Sequence, residues 1–264
     1  MLYRNLCTSL LVLGLLSSCA LQSTSTGLTK YQQAVACYEA RDYYEALRLF
    51  EETLPLLRGK KEEVSACFYQ AYCSFYQKKY IQSSDRFKYF RETFLGDLRV
   101  EEAMYMQGHA LHLSSPDVKL DQALTQEAAH LLRGYLSYYP GGAYVDEASV
   151  QIGVLDNKLA LKDFNNAKFY YQLSHYRAAV VTLGNFQKDF PASSYNEEAS
   201  YLKADAQYRY LKKIEGTDQK EQSNIAIKYC QEFLDNYPDS QYILAVEEIY
   251  GNLSSVNKAA VKTH

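Results

Sequence analysis

Residues 167–199, AKFYYQLSHYRAAVVTLGNFQKDFPASSYNEEA, set small and aromatic side chains at helical intervals around one short break. Ala167 and Tyr170 lie three apart. After Ser174-His175, Tyr176, Ala179, Leu183 and Phe186 follow at steps of three, four and three, which places them on one helical face. Phe190-Pro191 stops the second run, because proline cannot continue a helix and draws the preceding residue out of the helical region. The spacing predicts a helical hairpin with Ala179 where its two helices come closest. A lone hairpin leaves apolar faces uncovered, so a chain of this kind needs further copies stacked against it.

The copies are present. The same offsets give Ala34, Cys37, Tyr43, Ala46, Phe50 and Thr53, then Ala71, Ser74, Tyr80, Ser83, Phe87 and Phe90. Two more copies carry insertions between their helices: Gly108 and Leu111 with Ala128, Leu132, Tyr135 and Pro140, and Tyr201, Ala204 and Tyr208 with Ala226, Cys230, Phe233 and Pro238. Three hairpins end in the same joint, Pro140 to Tyr144, Pro191 to Tyr195 and Pro238 to Tyr242. This is the tetratricopeptide (TPR) pattern. It predicts an all-α, right-handed α-solenoid of about five repeats, at residues 29–58, 62–95, 101–140, 144–191 and 195–238. Val145, Ala148, Ile152 and Leu155 predict an extra helix before the fourth hairpin, or an extension of its first helix. Ser114 to Thr125 and the polar Gly216 to Gln222 read as surface insertions. A closing helix is expected over Tyr242 to Val256, with a frayed tail to His264.

Residues 1–18 read as an export leader, with Arg4 as its charged start and Leu10 to Leu16 as an apolar run too short to span a bilayer. The leader closes on Leu16-Ser17-Ser18-Cys19, the bacterial lipobox pattern, and residues 19–28 form a polar tether. Cys19 is therefore the expected lipidation site, and several acyl chains together make such an anchor stable. Ala20 in place of an aspartate, and the lack of an acidic cluster after Cys19, point to the periplasmic leaflet of an outer membrane. Beyond the leader, 27 Lys and Arg face 31 Asp and Glu, a balance that argues against a nucleic-acid partner. Cys37, Cys67, Cys73 and Cys230 fall on or beside inward repeat positions, where cysteine acts as a small hydrophobe. Cys67 and Cys73 stand about 240° apart on a helix and cannot pair. A Cys37–Cys67 bridge stays open.

Chemistry is sparse. His109 and His112 share a helical face but lack a third metal ligand at a diagnostic spacing, and no phosphate loop, nucleophile elbow or HExxH motif occurs. Glu51-Glu52, Glu62-Glu63 and Glu197-Glu198 read as solvated helix surface. The expectation is a non-enzyme, with no metal and no cofactor beyond the diacylglycerol and N-acyl chain on Cys19. The chain has 26 tyrosines and no tryptophan. Those expected on the first helices, Tyr38, Tyr69, Tyr72, Tyr76, Tyr105, Tyr170, Tyr171, Tyr201 and Tyr208, would line a groove suited to an extended peptide or a partner surface.

With the lipobox and five degenerate repeats in about 240 residues, the chain resembles the BamD family, lipoprotein partners of the outer-membrane β-barrel insertase. The resemblance is tightest at Leu155 to Leu161, Ala167 to Tyr171, Tyr176 to Ala179 and Phe190 to Tyr195. It departs at Ser83, where alanine is usual, and at Phe94-Leu95, where the family often has an aromatic and proline. The resemblance implies a non-enzymatic scaffold whose C-terminal repeats dock on the periplasmic domains of a BamA-like insertase. Its N-terminal repeats would meet unfolded barrel precursors. Two other readings remain: a TPR lipoprotein serving a division or peptidoglycan-linked complex, and a glycan-binding lipoprotein.

Overall fold

A computed structural model describes residues 27–214 and 218–262. The leader, Cys19 and the tether up to residue 26 lie outside the described residues, as do 215–217 and the last two residues. Among the described residues the chain is helical throughout, with no strand. Helix α1 covers 27–39. It is followed by α2 (Tyr43–Leu57), α3 (Lys61–Tyr76), α4 (Tyr80–Thr93), α5 (Val100–Ser114) and α6 (Ala123–Tyr138). Then come α7 (Val145–Gln172), α8 (Tyr176–Asp189), α9 (Asn196–Leu211), α10 (Asp218–Asn236) and α11 (Ile243–Lys262). Consecutive helices pack as hairpins, the all-α tetratricopeptide architecture. None of the described helices is long and apolar enough to cross a membrane.

The chain forms two compact units, divided between Leu155 and Asp156. The first has one core around Ala34, Ala46, Phe50, Leu57, Ala66 and Cys73. A second core in that unit gathers Ala71, Phe87, Phe90, Ala128, Leu132, Tyr135 and Ala148. The second unit is built on Ala160, Phe164, Ala167, Ala179, Leu183 and Phe186, and on Ala204, Ala226, Cys230, Phe233 and Val246. Each fully buried Phe or Leu contributes about 1.5–3 kcal/mol relative to exposure. The small positions let backbones approach. At Gly108 an added Cβ would stand 2.9 Å from Leu132. Ser83 fits the alanine slot because its buried Oγ donates to the Ala71 carbonyl at 3.1 Å.

Three hairpin turns use one capping device. Arg41, Lys78 and Ser174 have φ of 62°, 61° and 59°. Each left-handed residue donates back three positions, and the next residue donates back five, as in Asp42 to Cys37, Lys79 to Ser74 and His175 to Tyr170, at 2.9–3.0 Å. That is the Schellman cap, which satisfies the last carbonyls of a helix.

The joints between repeats share a second device. Tyr144 stacks on Tyr105 at 4.5 Å and 2°, Tyr195 on Phe164 at 5.3 Å and 10°, and Tyr242 on Tyr201 at 4.4 Å and 6°. In each case the joint tyrosine covers an aromatic on the preceding first helix. Acids at the start of those helices brace the same joints: Glu101 accepts from the Ala143 amide at 2.7 Å, and Glu197 accepts from Ser240 Oγ at 2.6 Å.

The structure corrects several boundaries. Of the two readings before the fourth hairpin, the extension is the one found: 145–172 is one helix of 28 residues, and its sequence holds no proline to stop it. Its first half carries Ala148 and Leu155 into the first unit's core, and its second half carries Ala160, Phe164 and Ala167 into the second's. The insertion expected to run to Gln222 is shorter, since α10 already begins at Asp218. The closing helix continues past Val256 to Lys262. Glu197 and Glu198 are not merely solvated: besides the Ser240 bond, Glu198 meets Lys168 Nζ at 2.5 Å.

Candidate interaction surface

In the first unit the tyrosines of α1 and α3 converge. Tyr38 lies 4.7 Å from Tyr69 and 6.5 Å from Tyr76 between ring centroids, and Tyr72 lies 5.8 Å from Tyr76. Their spacing on two neighbouring first helices produces this patch, and α2 adds Tyr43, stacked on Tyr76 at 4.4 Å. Tyr76 is the most open of the set, while Tyr38, Tyr69 and Tyr72 are half-buried. The Tyr72 hydroxyl donates to Glu102. Burial, reinforced by that carboxylate, raises the Tyr72 pKa; burial and neighbouring Tyr76 do the same at Tyr38. Both hydroxyls stay protonated donors.

Tyr105, expected in the groove, is instead buried. Its ring is enclosed by Tyr144 and by His109 at 5.4 Å, and its hydroxyl accepts from Gln151 Nε2 at 2.8 Å. The joint consumes the ring that periodicity alone assigns to the first-helix face. Tyr201 is likewise covered on one side by Tyr242.

In the second unit, Tyr171 donates to Asp205, which is buried and also accepts from Arg209 Nε at 2.5 Å. The Arg209 guanidinium lies 5.7 Å from the Tyr171 ring and 5.9 Å from that of Tyr176. Lys213 Nζ sits 4.6 Å over Tyr176, and Lys212 Nζ 4.1 Å over Tyr208. Beside this cluster, Tyr170, Tyr176, Arg177, Val181, Tyr210 and Lys213 line a groove of about 620 Å³. A neighbouring groove of about 450 Å³ holds Lys203, whose Nζ donates to Gln187 at 2.7 Å and lies 4.6 Å over the Tyr229 ring. Burial lowers the Lys203 pKa.

The structure thus brings Tyr38, Tyr69, Tyr72 and Tyr76 together in one unit, and Tyr170, Tyr171 and Tyr208 around basic groups in the other. Sequence reasoning missed Tyr43, Glu102, Asp205, Arg209 and Tyr176 as members of these clusters. A signal for two of them exists. Tyr72 and Glu102 are 30 residues apart, and Tyr171 and Asp205 are 34 apart, each about one repeat period. An acid one repeat beyond a first-helix tyrosine marks the pair.

Both surfaces offer rings and hydroxyl donors, and the second adds cations, a chemistry that recognises peptide or protein through stacking and hydrogen bonds and, in the second, cation–π contact. Among the described residues no three His, Cys, Asp or Glu side chains gather as metal ligands. The His109 and His112 rings stack at 6.3 Å. Cys37, Cys67, Cys73 and Cys230 are free thiols, with Cys37 packed against the core around Phe50 and Cys67 within that around Phe87. Burial pushes the Cys67 thiol to about 11 and Cys73 and Cys230 to about 12, so they pack as neutral side chains.

The family model described as YfiO, outer membrane lipoprotein, matches residues 24–200. The chain belongs to this family. Two curated relatives are both outer membrane protein assembly factors BamD. That of Rickettsia prowazekii (strain Madrid E) is 22% identical over 243 residues, 90% of this chain and 93% of the relative. That of Caulobacter vibrioides is 24% identical over 168 residues, 64% of this chain and 53% of the relative. The resemblance to the BamD family is thereby shown. Among solved structures, the TPR2AB domain of yeast Sti1 in its pHSP90 complex aligns over 90% of this chain and 86% of its own, with 13% identity and a TM-score of 0.43. The YfiO match takes in the tyrosine patch of the first unit. Tyr210 and Lys213, on the second unit's groove, lie beyond it.

Proposed function

We propose that this chain is a non-enzymatic periplasmic scaffold for assembly of outer-membrane β-barrel proteins, held to the outer membrane by acyl chains on Cys19. The observation that carries the reading is the YfiO match over residues 24–200, joined to a BamD relative alignable along nearly its whole length. The two surfaces divide the work. The tyrosine patch of Tyr38, Tyr43, Tyr69 and Tyr76 takes extended segments of unfolded barrel precursors. The basic, aromatic groove around Tyr176, Arg177 and Lys213 takes the periplasmic domains of a BamA-like insertase.

The test is purification in mild detergent together with depletion in the cell. A barrel insertase with periplasmic repeats should co-purify. Depletion should lower outer-membrane barrel proteins together while other lipoproteins stay level. Tyr43→Ala with Tyr76→Ala should keep insertase co-purification and weaken capture of barrel-derived peptides. Cys19→Ser should move the protein out of the membrane pellet. Unchanged barrel levels on depletion would transfer the protein to another envelope complex.

A further inference from the structure

The ends of α2, α4 and α6 and the starts of α1, α3 and α5 share one edge of the first unit. Gly27 packs on the Leu56 side chain. Arg99, at the start of α5, reaches Ser65 Oγ at 3.3 Å and lies 4.9 Å from Phe68 and 5.5 Å from Phe90. Glu101 accepts from Tyr135 Oη at 3.0 Å and from the Ala143 amide, tying the end of α6 to the same place.

This edge exposes apolar side chains in its connections. Leu98 is 99% exposed, Leu95 78% and Tyr138 72%. Leu56 also stands out on this edge, and Arg58 and Lys61 are exposed beside it. Two open leucines in a six-residue connection between helices serve no core. The acids nearby are already engaged: Asp97 by Arg99 at 2.8 Å, and Glu63 by the Gly59 amide at 2.7 Å. Leucine, tyrosine and cations around a polar rim make an interfacial composition.

We propose that this edge rests on the leaflet that holds the Cys19 acyl chains, with Leu95 and Leu98 dipping into the headgroup layer and Tyr138, Arg58 and Lys61 at its polar surface. The inference rests on the reading of Cys19 as lipidated. The occupant follows from where the chain leaves the unit. Residue 27 lies on this edge, and only seven residues, 20–26, separate it from Cys19. The eight Cα-to-Cα steps between them reach at most about 26–29 Å. Turned the other way, with Leu120 toward the leaflet, residue 27 would stand roughly 22 Å further off along helices of about fifteen residues, which would take up most of that reach.

The chain lacks tryptophan, so a single introduced one reports its own surroundings. Leu98→Trp, Tyr138→Trp and Leu120→Trp are made in the mature lipoprotein and reconstituted into phosphatidylethanolamine–phosphatidylglycerol vesicles with brominated acyl chains. Leu98→Trp should shift to the blue and lose emission to the brominated chains, Tyr138→Trp should lose less, and Leu120→Trp should match its spectrum in water. Equal behaviour at Leu98 and Leu120, or a blue shift at Leu98 without bromine quenching, as a protein cover would give, overturns the proposal. Should the mature protein fail to float with vesicles, the anchor reading fails on its own. The same variants held by an N-terminal polyhistidine on nickel-chelating lipid then decide the edge.

Discussion

His109 shows how one enclosed side chain couples this fold to acidity. Its ring stacks on Tyr105 and lies 5.5 Å from Phe75, and its Nδ1 is buried without a hydrogen bond. Burial outweighs the adjacent Gln151 amide and lowers its pKa. Well above pH 6.5 the imidazole is uncharged in both folded and unfolded chains and contributes no pH dependence. Below about 6.5 the unfolded imidazole takes a proton first. Stability should therefore fall as pH drops through that value toward the folded pKa. Thermal melts between pH 7.5 and 5 read the effect, which amounts to about 1.4 kcal/mol for every tenfold loss of proton affinity on folding; His109→Phe, which keeps the stack, should flatten the curve. Asp205 is a second such point. Asp205→Ala leaves the Tyr171 hydroxyl without its acceptor, at a cost of about 1–3 kcal/mol. Urea unfolding followed on the second unit measures it. The Arg209 side of the pair, half in water, adds little.

Two glycines in helices separate a packing need from mere permissiveness. Gly108→Ala places a methyl against Leu132 and its backbone nitrogen, at 2.9 and 3.3 Å. Overpacking costs about 1–3 kcal/mol, which outweighs alanine's helical advantage of about 1 kcal/mol. Gly184, within α8, meets nothing within 4 Å of an added Cβ, so Gly184→Ala should stabilise by about 0.5–1 kcal/mol. Opposite signs in paired melts are the expected outcome. The helices themselves are legible in the sequence because their periodicity is local. The unbroken run from Val145 to Gln172 is legible only as one of two readings: the absence of a proline allows continuity, but periodicity alone does not tell an extension from a separate helix ahead of the hairpin. Periodicity also overstates the tyrosine groove. Spacing says which face a ring occupies, and Tyr105 and Tyr201 are on the right helices, but the rings that cover them come from joints some forty residues later.

On the scale of the whole chain, the two units have separate cores. Ala179 is fully buried in the second. Ala179→Leu should cost about 1–3 kcal/mol, and the lost hydrogen-exchange protection should fall on residues after Asp156, since repeat stability is largely nearest-neighbour. Deprotection centred on α1 to α4 would contradict the assigned packing.

The stacked joints also fix where this chain can be divided. A cassette cut at the hairpin ends, such as 101–140, strands Tyr105 without Tyr144 and leaves Glu101 without the Ala143 amide. A cassette from Val100 through Tyr144 carries both halves of the stack and the brace. The unit that could be duplicated, grafted or exchanged with another array is thus the hairpin plus the first aromatic of its successor. Chimeras spliced after that tyrosine should keep their cooperativity, where those spliced at the proline should fray at the seam.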